Sequence, residues 1–526
     1  MNRLFAAPIA MLATLTLVVV LLWVVQKSIE FYQNVKAVGN HPGNRTILWH
    51  NHLLAHFLPP IRGLTSGTNY VFNKKYAVYE QTGWDIVTCI SSFPAPRVEF
   101  LIADAAIIKD VTVAHVSFPK PVFLYRALSI FGSNIVASEG HTWKKYRKIS
   151  APAFSDRNHR LVWEESLNTT RDLINTIWKG KDVVEIDRVD DITLQIALNV
   201  IGVAGFGRKM PWQADTVVPP GHTMAFHDAM RLVSTGIILR ITVTRWIMGL
   251  IPKWVKVRAA FDELELYMLE MIRNRRTTAK KEERYDLFSN LLDANDDELL
   301  VEGEAKLTDQ ELLGNIFVFL LAGHETTAHT LAFTFALLGL YPDQQEILYR
   351  HIKSIIPNGR NPTFEEMPLF THSIAVLYEA LRLFPSVPPI PKISAEDTVF
   401  VSTNKAGERK TIPVPQGAMI TIDVAGLHYN PRYWKDPEVF NPSRFLGDWP
   451  REAFVPFSQG ARACIGRKFS ETESVAVLTM LISKYKITVK EKPGETFKER
   501  KERVLKTRAS LTLMPVHMPL VFSRRE

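Results

Sequence analysis

The residue whose type and neighbours most clearly suggest a chemical role is Cys464, one of only two cysteines in the chain. Gly460 lies four residues before it and Gly466 two residues after it, and glycine permits backbone shapes that let a chain wrap tightly around a side chain. Arg462 places a cation two residues from the sulfur, which favours the thiolate, and Phe457 is an apolar neighbour that would shield it from water. Two interpretations follow: a shielded thiolate that holds a metal, or a buried and inert cysteine.

A second candidate lies in a long apolar segment. Thr308 and Glu311 form the S/T-x-x-E pattern of a helix start, and the apolar pattern continues to Leu340, just before Pro342. This predicts one helix of about 32 residues, or about 48 Å, which is long enough to cross a whole domain.

Three residues inside this predicted helix are chemically unusual. Gly323 costs about 1 kcal/mol relative to alanine in a helix, so either a ligand or a neighbouring helix must approach it closely. Thr326 lies on the same face three residues later. Its hydroxyl either donates to a bound group or bonds back to a helix carbonyl, and Glu325 either carries protons or is solvated.

Several common catalytic patterns are missing from the sequence. It has no phosphate-binding G-x-x-x-x-G-K-[ST], no zinc-binding H-E-x-x-H and no G-x-S-x-G nucleophile turn. Gly205-Phe206-Gly207 lacks the third glycine and the strand–turn–helix context of a dinucleotide site. A redox reaction would therefore take its electrons from a separate partner protein.

The composition of the chain is that of an ordinary globular protein, so these residues are positioned by packed secondary-structure elements. Its 526 residues are 46% hydrophobic and 22% charged, which excludes disordered and fibrous proteins. Two cysteines exclude a disulfide framework and a four-cysteine zinc site. The excess of 63 Lys and Arg over 54 Asp and Glu gives a net charge of +9, which fits anionic membranes, acidic proteins or nucleic acid.

The N-terminal segment predicts a membrane anchor. Residues 4–25 carry no charge and only one proline, and about 22 residues suffice to span a bilayer as a helix. The segment is longer than the apolar part of a cleaved signal peptide and lacks a small-residue cleavage site. One Arg precedes it and six Lys and Arg residues follow it before residue 76, which keeps the rest of the chain in the cytoplasm. The sequons at Asn44 and Asn168 would then stay unglycosylated.

The remaining pattern predicts a transmembrane anchor at residues 1–27, a loop-rich hinge at 28–70 and one large domain at 71–526. From about residue 140 the pattern is mostly helical, and short β-branched runs at 398–401 and 419–422 predict strands. Residues 232–254 are rich in Ile, Leu, Val and Trp, which predicts core, with a second shallow membrane contact as the alternative.

The residues around Cys464 resemble a known family. Residues 457–466 match F-x-x-G-x-R-x-C-x-G at every fixed position, which is the haem-binding signature of the cytochrome P-450 superfamily. Further motifs of that family occur in its order: W-x-x-x-R at residues 143–147, A-G-x-E-T-T at 322–327, E-x-x-R at 379–382 and, at 442–445, P-S-R-F where P-E-R-F is common. The anchor and the basic hinge resemble the microsomal, eukaryotic members, and the whole looks fungal.

This resemblance implies a mainly α fold with small β-sheets, the cytochrome P-450 fold, preceded by one N-terminal transmembrane helix. It implies haem b as the cofactor, with Cys464 as the axial thiolate ligand of the iron. By the same resemblance, the residues that contact or shape the haem site are Phe457, Gly460, Arg462, Trp143, Arg147 and Gly323.

The resemblance also assigns catalytic and structural roles. Thr326 would donate a hydrogen bond to the distal oxygen, and Glu325 would feed protons from solvent. Glu379 and Arg382 lie on one helical face at i and i+3, and together with Arg444 they would hold the fold around the haem. From spacing alone, an ordinary surface pair worth about 0–1 kcal/mol is equally open.

The implied activity is that of a haem-thiolate monooxygenase, which inserts one oxygen atom of O2 into an apolar small molecule. A terpenoid, steroid or polyaromatic substrate fits, with residues 113–135 and 211–250 lining the pocket, and both secondary metabolism and xenobiotic breakdown fit such chemistry. The implied location is the endoplasmic reticulum membrane. Two alternatives stay open: a reductase-independent isomerase or dehydratase, and a non-catalytic haem- or lipid-binding membrane protein.

The implied partners are proteins and the membrane, and no nucleic acid is expected. Electrons would come from an NADPH–cytochrome P-450 reductase, with cytochrome b5 as a further donor. The docking face would be basic, and its members are Lys144, Lys145, Lys148, Arg467 and Lys468.

Overall fold

A computed structural model of the chain describes residues 6–50, 52–56, 58–67, 69–208, 212, 218–277, 286–296 and 306–525. The helices are α1 (Ala6–Ala37), α2 (Tyr70–Lys74), α3 (Ala77–Thr82), α4 (Ala105–Val113), α5 (Gly140–Ser150), α6 (Asp156–Asp172), α7 (Val189–Val200), α8 (Phe226–Thr242), α9 (Pro252–Thr277), α10 (Leu287–Asp296), α11 (Asp309–Leu340), α12 (Pro342–Ile355), α13 (Thr371–Leu383), α14 (Val424–His428), α15 (Arg467–Lys484) and α16 (Phe497–Val504).

The strands are short and few, as the resemblance implied. They are β1 (Gly43–Leu48), β2 (Ile86–Phe93), β3 (Arg97–Ile102), β4 (Val183–Ile186), β5 (Pro389–Ile393), β6 (Thr398–Thr403), β7 (Arg409–Val414), β8 (Met419–Asp423), β9 (Tyr485–Val489), β10 (Thr507–Ala509), β11 (Leu513–Pro515) and β12 (Leu520–Arg524). The mainly α fold with small sheets is thus confirmed.

The chain divides into two compact units. Unit 1 comprises Met1–Lys120, Val387–Glu438 and Pro450–Arg462, and unit 2 comprises Pro121–Ser386, Val439–Trp449 and Ala463–Glu526. The division falls inside the signature segment: Phe457, Gly460 and Arg462 belong to unit 1, whereas Cys464 belongs to unit 2.

Unit 1 is built on a five-stranded mixed sheet. Its strand order is β1-β2-β3-β8-β5, with β1 parallel to β2 and β3 parallel to β8. All five residues of β8 are buried, which is typical of a central strand. The β-branched runs at 398–401 and 419–422 lie in β6 and β8, so both strand predictions are confirmed.

Helix α1 is longer than the predicted anchor. Residues 28–37, assigned to the hinge by the sequence, continue the helix, which ends before Gly39 in a left-handed conformation (φ +60°). Thr14–Ala37 is long and apolar enough to cross a membrane by length and composition, and none of the residues in its most apolar stretch of 18 is buried in the protein. The end of α1 packs against β2 and β3. Residues 1–5 of the predicted anchor lie outside the described residues.

Unit 2 is centred on α11. The helix spans Asp309–Leu340, and Thr308 caps it with Glu311 in a reciprocal capping box, as the sequence predicts. Most of its side chains are buried, against α7, α13, α15 and strand β9 among others. A buried helix of this kind is apolar on nearly every face, so any accessible position on it calls for explanation.

Candidate functional site

Cys464 lies in a short loop that leads into α15. Gly466 is the N-cap residue of that helix, so the sulfur stands close to a helix N-terminus, where negative charge is favoured. Burial raises the pKa of the Cys464 thiol, while a hydrogen bond from the Gly466 backbone and the charges of Arg147 and Arg467 lower it. The residue is nevertheless exposed. An exposed cysteine next to three groups that favour its thiolate is suited to binding a metal. The exposure of Cys464 does not fit the alternative of a buried and inert cysteine.

Helix α5 meets this loop. Arg147 donates a hydrogen bond from Nη1 to the carbonyl oxygen of Ala463 at 3.1 Å, directly before the cysteine. Trp143 lies one turn earlier on α5 and is buried. The structure therefore brings Arg147 of the W-x-x-x-R motif to the segment that carries Cys464, and it buries Trp143 on the same helix.

The part of the signature that belongs to unit 1 has its own geometry. Gly460 has φ +71°, and a Cβ built there would lie 2.5 Å from the carbonyl oxygen of Thr112, so no other residue fits. Phe457 and Arg462 are half-buried in the same unit. Gly466, in contrast, has φ −87°, which any residue can adopt, so the special backbone expected there is absent.

One strip of α11 is accessible although the helix is otherwise buried. Ala322 is exposed, and Phe319, Gly323 and Thr326 are half-buried. These positions are spaced i, i+3, i+4 and i+7, which places them on one face. The strip offers apolar surface and a single hydroxyl, a lining that suits an apolar molecule.

Gly323 has a packing role on the same helix. A Cβ at this position would lie 3.1 Å from Cδ1 of Ile201, in the π-helical turn Ile201–Gly205 that follows α7. The glycine therefore lets α7 and α11 pack closely, which is the second of the two explanations that the sequence left open.

The acid and the alcohol of the A-G-x-E-T-T motif have different surroundings. Thr326 donates its hydroxyl to the carbonyl oxygen of Ala322 at 2.8 Å. Glu325 is 5% exposed, so the interpretation of a solvated carboxylate is wrong. Burial raises the pKa of Glu325 to about 7, opposed by the hydroxyls of Ser234 and Thr512, which favour the ionised form. A carboxyl that titrates near neutrality is suited to holding and releasing a proton.

The E-x-x-R motif forms a buried ion-pair cluster. Glu379 and Arg382 are both fully buried and pair at 2.7 Å, and Arg444 reaches the same carboxylate at 3.3 Å. The backbone N–H of Asn441 donates to Glu379 at 2.9 Å. The structure brings these three charged residues together and does not place the pair on the surface.

The five basic residues are not equivalent. Lys145 is paired with Glu311 at 2.9 Å and Arg467 with Glu471 at 2.8 Å, whereas Lys144, Lys148 and Lys468 are exposed. Arg467 and Lys468 occupy the first turn of α15, which has no acidic residue. Cations at a helix N-terminus are unfavourable by about 0.3–1 kcal/mol, so their position has an electrostatic cost.

Sequence reasoning missed two residues near Glu325. Ser234 on α8 and Thr512, between β10 and β11, both act to lower the pKa of its carboxyl. Neither residue lies in a motif, and only the tertiary structure places them beside α11.

The donor set fits haem. Among the described residues, no group of three His, Cys, Asp or Glu side chains could hold a metal ion. A metal bound at Cys464 must therefore bring most of its ligands with it, as the iron of a porphyrin does. A thiolate with adjacent cations is also the partner that such an iron and its propionates require.

Comparison with known proteins identifies the family. The Cytochrome P-450 family model matches residues 73–514. The chain is 49% identical over 505 residues to Cytochrome P-450 monooxygenase 124 of Postia placenta, covering 95% of this chain and 97% of that protein. It is 29% identical over 467 residues to Cytochrome P-450 monooxygenase ORF6 of Penicillium roqueforti, covering 80% and 79%. The crystal structure of the cytochrome P-450DA haem domain has the same fold, with a TM-score of 0.73 at 22% identity over 92% of this chain and 98% of that one.

The two fungal relatives are named monooxygenases, and the family binds haem with a cysteine thiolate on the iron. The match extends over most of the chain, and the described fold agrees with it. This protein, an oxidoreductase with a haem-thiolate cofactor, therefore belongs to the cytochrome P-450 family.

Proposed function

We propose that the protein is a membrane-anchored monooxygenase that oxidises apolar small molecules with O2 and electrons from an NADPH-dependent reductase. Residues 1–27 are the anchor, 28–70 connect it, and 71–526 form the catalytic part. The observation that carries the proposal is the reachable Cys464 thiol at the N-terminus of α15. Bound haem supplies the activation of O2, which no side chain can perform.

The residues around Cys464 hold the cofactor. Cys464 would ligate the iron. Burial raises the pKa of its thiol, and the Gly466 N–H with Arg147 and Arg467 acts against that rise, which lowers the cost of forming the thiolate. Trp143, Arg147 and Arg462 bind the propionates, since Arg offers a planar donor pair that matches a carboxylate. Phe457 and Gly460 shape the loop that leads to Cys464. Gly323 has no side chain, so the haem could lie close to α11.

Thr326 and Glu325 manage the proton supply. Glu325 is half protonated near neutral pH because burial raises its pKa to about 7, so it can give up a proton and take another without a large energetic step. Thr326 presents a hydroxyl on the accessible strip, where it orients the transferred proton toward the reacting oxygen.

Apolar substrates are favoured by the lining of this strip. Phe319, Ala322 and Gly323 offer no charge, and a terpenoid, steroid or polyaromatic compound would lose little by leaving water there. A relative from Streptomyces melanosporofaciens, 30% identical over 407 residues, is named cyclooctat-9-en-7-ol 5-monooxygenase, which supports a substrate rich in hydrocarbon. Screening the enzyme against a panel of these three classes by spectral titration, then by product analysis, tests this assignment.

The membrane contact has two parts in this proposal. Residues 14–25 of helix α1 are exposed and mostly apolar, and the helix anchors the chain in the endoplasmic reticulum membrane with the catalytic part in the cytoplasm. Residues 232–254 are only partly core: Ile237 and Met248 are buried, but Trp246 and Leu250 are 70% and 69% exposed. Exposed aromatic and aliphatic groups of this kind mark membrane contacts.

Carbonate extraction of the full chain and of a variant lacking residues 1–27 tests the anchor, and adding L250S to that variant tests the second contact.

The basic residues of α5 and α15 form the reductase-docking face. Arg467 and Lys468 occupy a helix end where cations are unfavourable, which supports a role in binding an acidic partner, the reductase or cytochrome b5. The retained Thr326 favours oxygen chemistry over isomerisation or dehydration.

Two measurements test the activity. Reduced protein treated with carbon monoxide should give the haem-thiolate difference band, and C464S should lose it; folded protein without the band would refute the cofactor assignment. NADPH consumption that depends on substrate and added reductase separates a monooxygenase from a reductase-independent isomerase or dehydratase and from a non-catalytic binding protein.

A further inference from the structure

One carboxylate links the start of α11 to α5. Glu311, in the first turn of α11, accepts a hydrogen bond from the backbone N–H of Thr308 at 2.8 Å, which belongs to the capping box of the helix. It also accepts from Nζ of Lys145 at 2.9 Å and from the hydroxyl of Tyr146 at 2.7 Å. Lys145 and Tyr146 are consecutive residues of α5. The side chain that caps α11 therefore also holds a neighbouring helix.

Capping alone does not account for this contact. The chain has another capping box of the same pattern at Thr496 and Glu499, where the Glu499 carboxylate accepts from the N–H and the hydroxyl of its own cap residue. The Glu311 carboxylate bonds in addition to Tyr146, which is 165 positions away in the chain. A capping box needs no such partner, so the contact with α5 has a separate role.

The phenol and the carboxylate are in the protonation states that this contact needs. Burial raises the pKa of Tyr146 to about 12, with Ser133 acting against the rise and Glu311 adding to it, so the phenol keeps its proton. Burial also acts to raise the pKa of Glu311, but its three hydrogen-bond donors outweigh this, and the pKa lies below its usual value. The carboxylate is therefore ionised at neutral pH.

The contact is largely shielded from water. Tyr146 is 1% exposed, and the side chains of Lys145 and Glu311 are 16% and 20% exposed. Water screens a fully exposed ion pair until it contributes little, whereas hydrogen bonds to a shielded carboxylate are strong. A buried hydroxyl without a partner is costly. Glu311 therefore fixes the position of Tyr146, and with it that of α5.

The next residue of α5 reaches the segment that carries Cys464. Nη1 of Arg147 donates to the carbonyl oxygen of Ala463 at 3.1 Å, and Ala463 directly precedes the cysteine. Adjacent residues of a helix share one hydrogen-bonded backbone, so a displacement of Tyr146 carries Arg147 with it. A series of contacts thus leads from the start of α11, through α5, to the residue before Cys464.

We propose that Glu311 is a positioning residue for haem binding. It holds α5 in place and so keeps the guanidinium of Arg147 beside the Cys464 segment, where it binds a haem propionate. The inference rests on the proposed function, in which Arg147 binds a propionate, and adds the residue that keeps Arg147 there. Haem retention therefore depends on contacts that lie outside the signature segment.

Two substitutions on α5 test this role without changing Glu311. K145M removes a charge and keeps the apolar stem, and Y146F removes a hydroxyl and keeps the ring. In holoprotein that carries both, haem transfer to apomyoglobin should be about fivefold faster, the effect of losing about one net hydrogen bond. The propionate bending band of the resonance Raman spectrum should also shift. If the double variant does not fold, Y146F alone gives the same comparison.

T308A is the control for a merely structural role. It removes the side-chain cap of α11 and leaves both contacts with α5. It should lower the unfolding temperature without changing the rate of haem transfer or the propionate band. A change in haem transfer in T308A equal to that in the α5 double variant overturns the proposal, as does a double variant that retains haem as well as the unsubstituted protein.

Arg147 shows whether the effect follows the proposed route. R147Q should speed haem transfer and shift the same band, and adding K145M and Y146F to R147Q should have little further effect, because the three act through one contact. Effects that simply add overturn the proposal. Failure of the proposed function looks different: R147Q by itself would then retain haem as the unsubstituted protein does, and the role of Glu311 would fall with that of Arg147.

Discussion

Thr326 donates its only hydroxyl proton to the carbonyl oxygen of Ala322, one turn earlier on α11, over 2.8 Å. A hydroxyl has a single proton to donate, so Thr326 can donate to a bound group only by turning away from Ala322. Back-bonding and donation to a ligand, which the sequence presents as alternatives, are therefore two states of one side chain.

Replacing Thr326 with valine should show whether the hydroxyl, rather than the packing of the side chain, contributes to the reaction. Valine keeps the shape and removes the hydroxyl, so product formed per NADPH should fall about tenfold, the effect of losing about 1.4 kcal/mol of hydrogen bonding in the reacting state. Haem content should not change. T326S, which keeps the hydroxyl, is the control, and unchanged coupling in T326V would show that the hydroxyl takes no part.

The buried cluster of Glu379 should dominate the stability of unit 2. E379Q leaves Arg382 buried without its counter-charge, so the free energy of unfolding should fall by about 3–5 kcal/mol, as measured by denaturant unfolding of the holoprotein. Glu185 pairs with Lys490 on the surface of the same unit, with both side chains more than half exposed. E185Q should change the same quantity by only about 0–1 kcal/mol. Similar effects of the two substitutions would argue against a structural role for the cluster.

Glu473 on α15 makes stability depend on pH. Both of its carboxyl oxygens are buried and lack a hydrogen-bond partner among the described residues, and burial raises its pKa well above the usual value. The unfolded chain releases this proton above about pH 4.3 while the folded protein retains it, so the free energy of unfolding falls as the pH rises through that window.

The stability of E473Q relative to the unsubstituted protein should therefore rise by about 1–3 kcal/mol between pH 5 and pH 8. Glu325 titrates in both proteins and cancels in the difference. Glu471 is the matched control, because it accepts hydrogen bonds from Tyr378 at 2.7 Å and Arg467 at 2.8 Å; E471Q should destabilise at both pH values. A difference for E473Q that does not vary with pH would contradict the assignment.

Charge reversal at the exposed lysines tests reductase docking. K144E, K148E and K468E combined should raise the KM for the reductase at least fivefold at low salt, because complementary charge speeds association, and salt should narrow the difference. K486E changes the charge of an exposed lysine on β9 of the same unit and should have little effect. If K486E raised the KM for the reductase as much as the triple variant does, the docking face would not include Lys144, Lys148 and Lys468.

Local signals explain what could be predicted from the sequence. The capping box at Thr308 and the apolar run to Leu340 predict α11 because both act within a few residues, and the signature around Cys464 is contiguous. The surroundings of Glu325 depend instead on contacts such as that between His329 and Thr512, which are 183 residues apart in the chain. No periodicity or motif carries such information.

Two other differences have similar causes. The first charges after the apolar run predict that the anchor ends there, yet Lys27 and Glu30 pair at 2.8 Å and polar residues continue the helix. Trp246 and Leu250 belong to a segment whose composition predicts core, but composition does not tell which apolar side chains find partners.

Helix α1 runs without a break from its apolar surface to the end that packs against the sheet of unit 1. A flexible tether would let unit 1 take any orientation above a bilayer, whereas a rigid rod does not. The 24 residues of Thr14–Ala37 measure about 36 Å, and a bilayer of different thickness forces such a rod to change its tilt. With α1 anchored as proposed, a change in bilayer thickness would change the tilt of α1, and the tilt of unit 1 relative to the membrane would change with it.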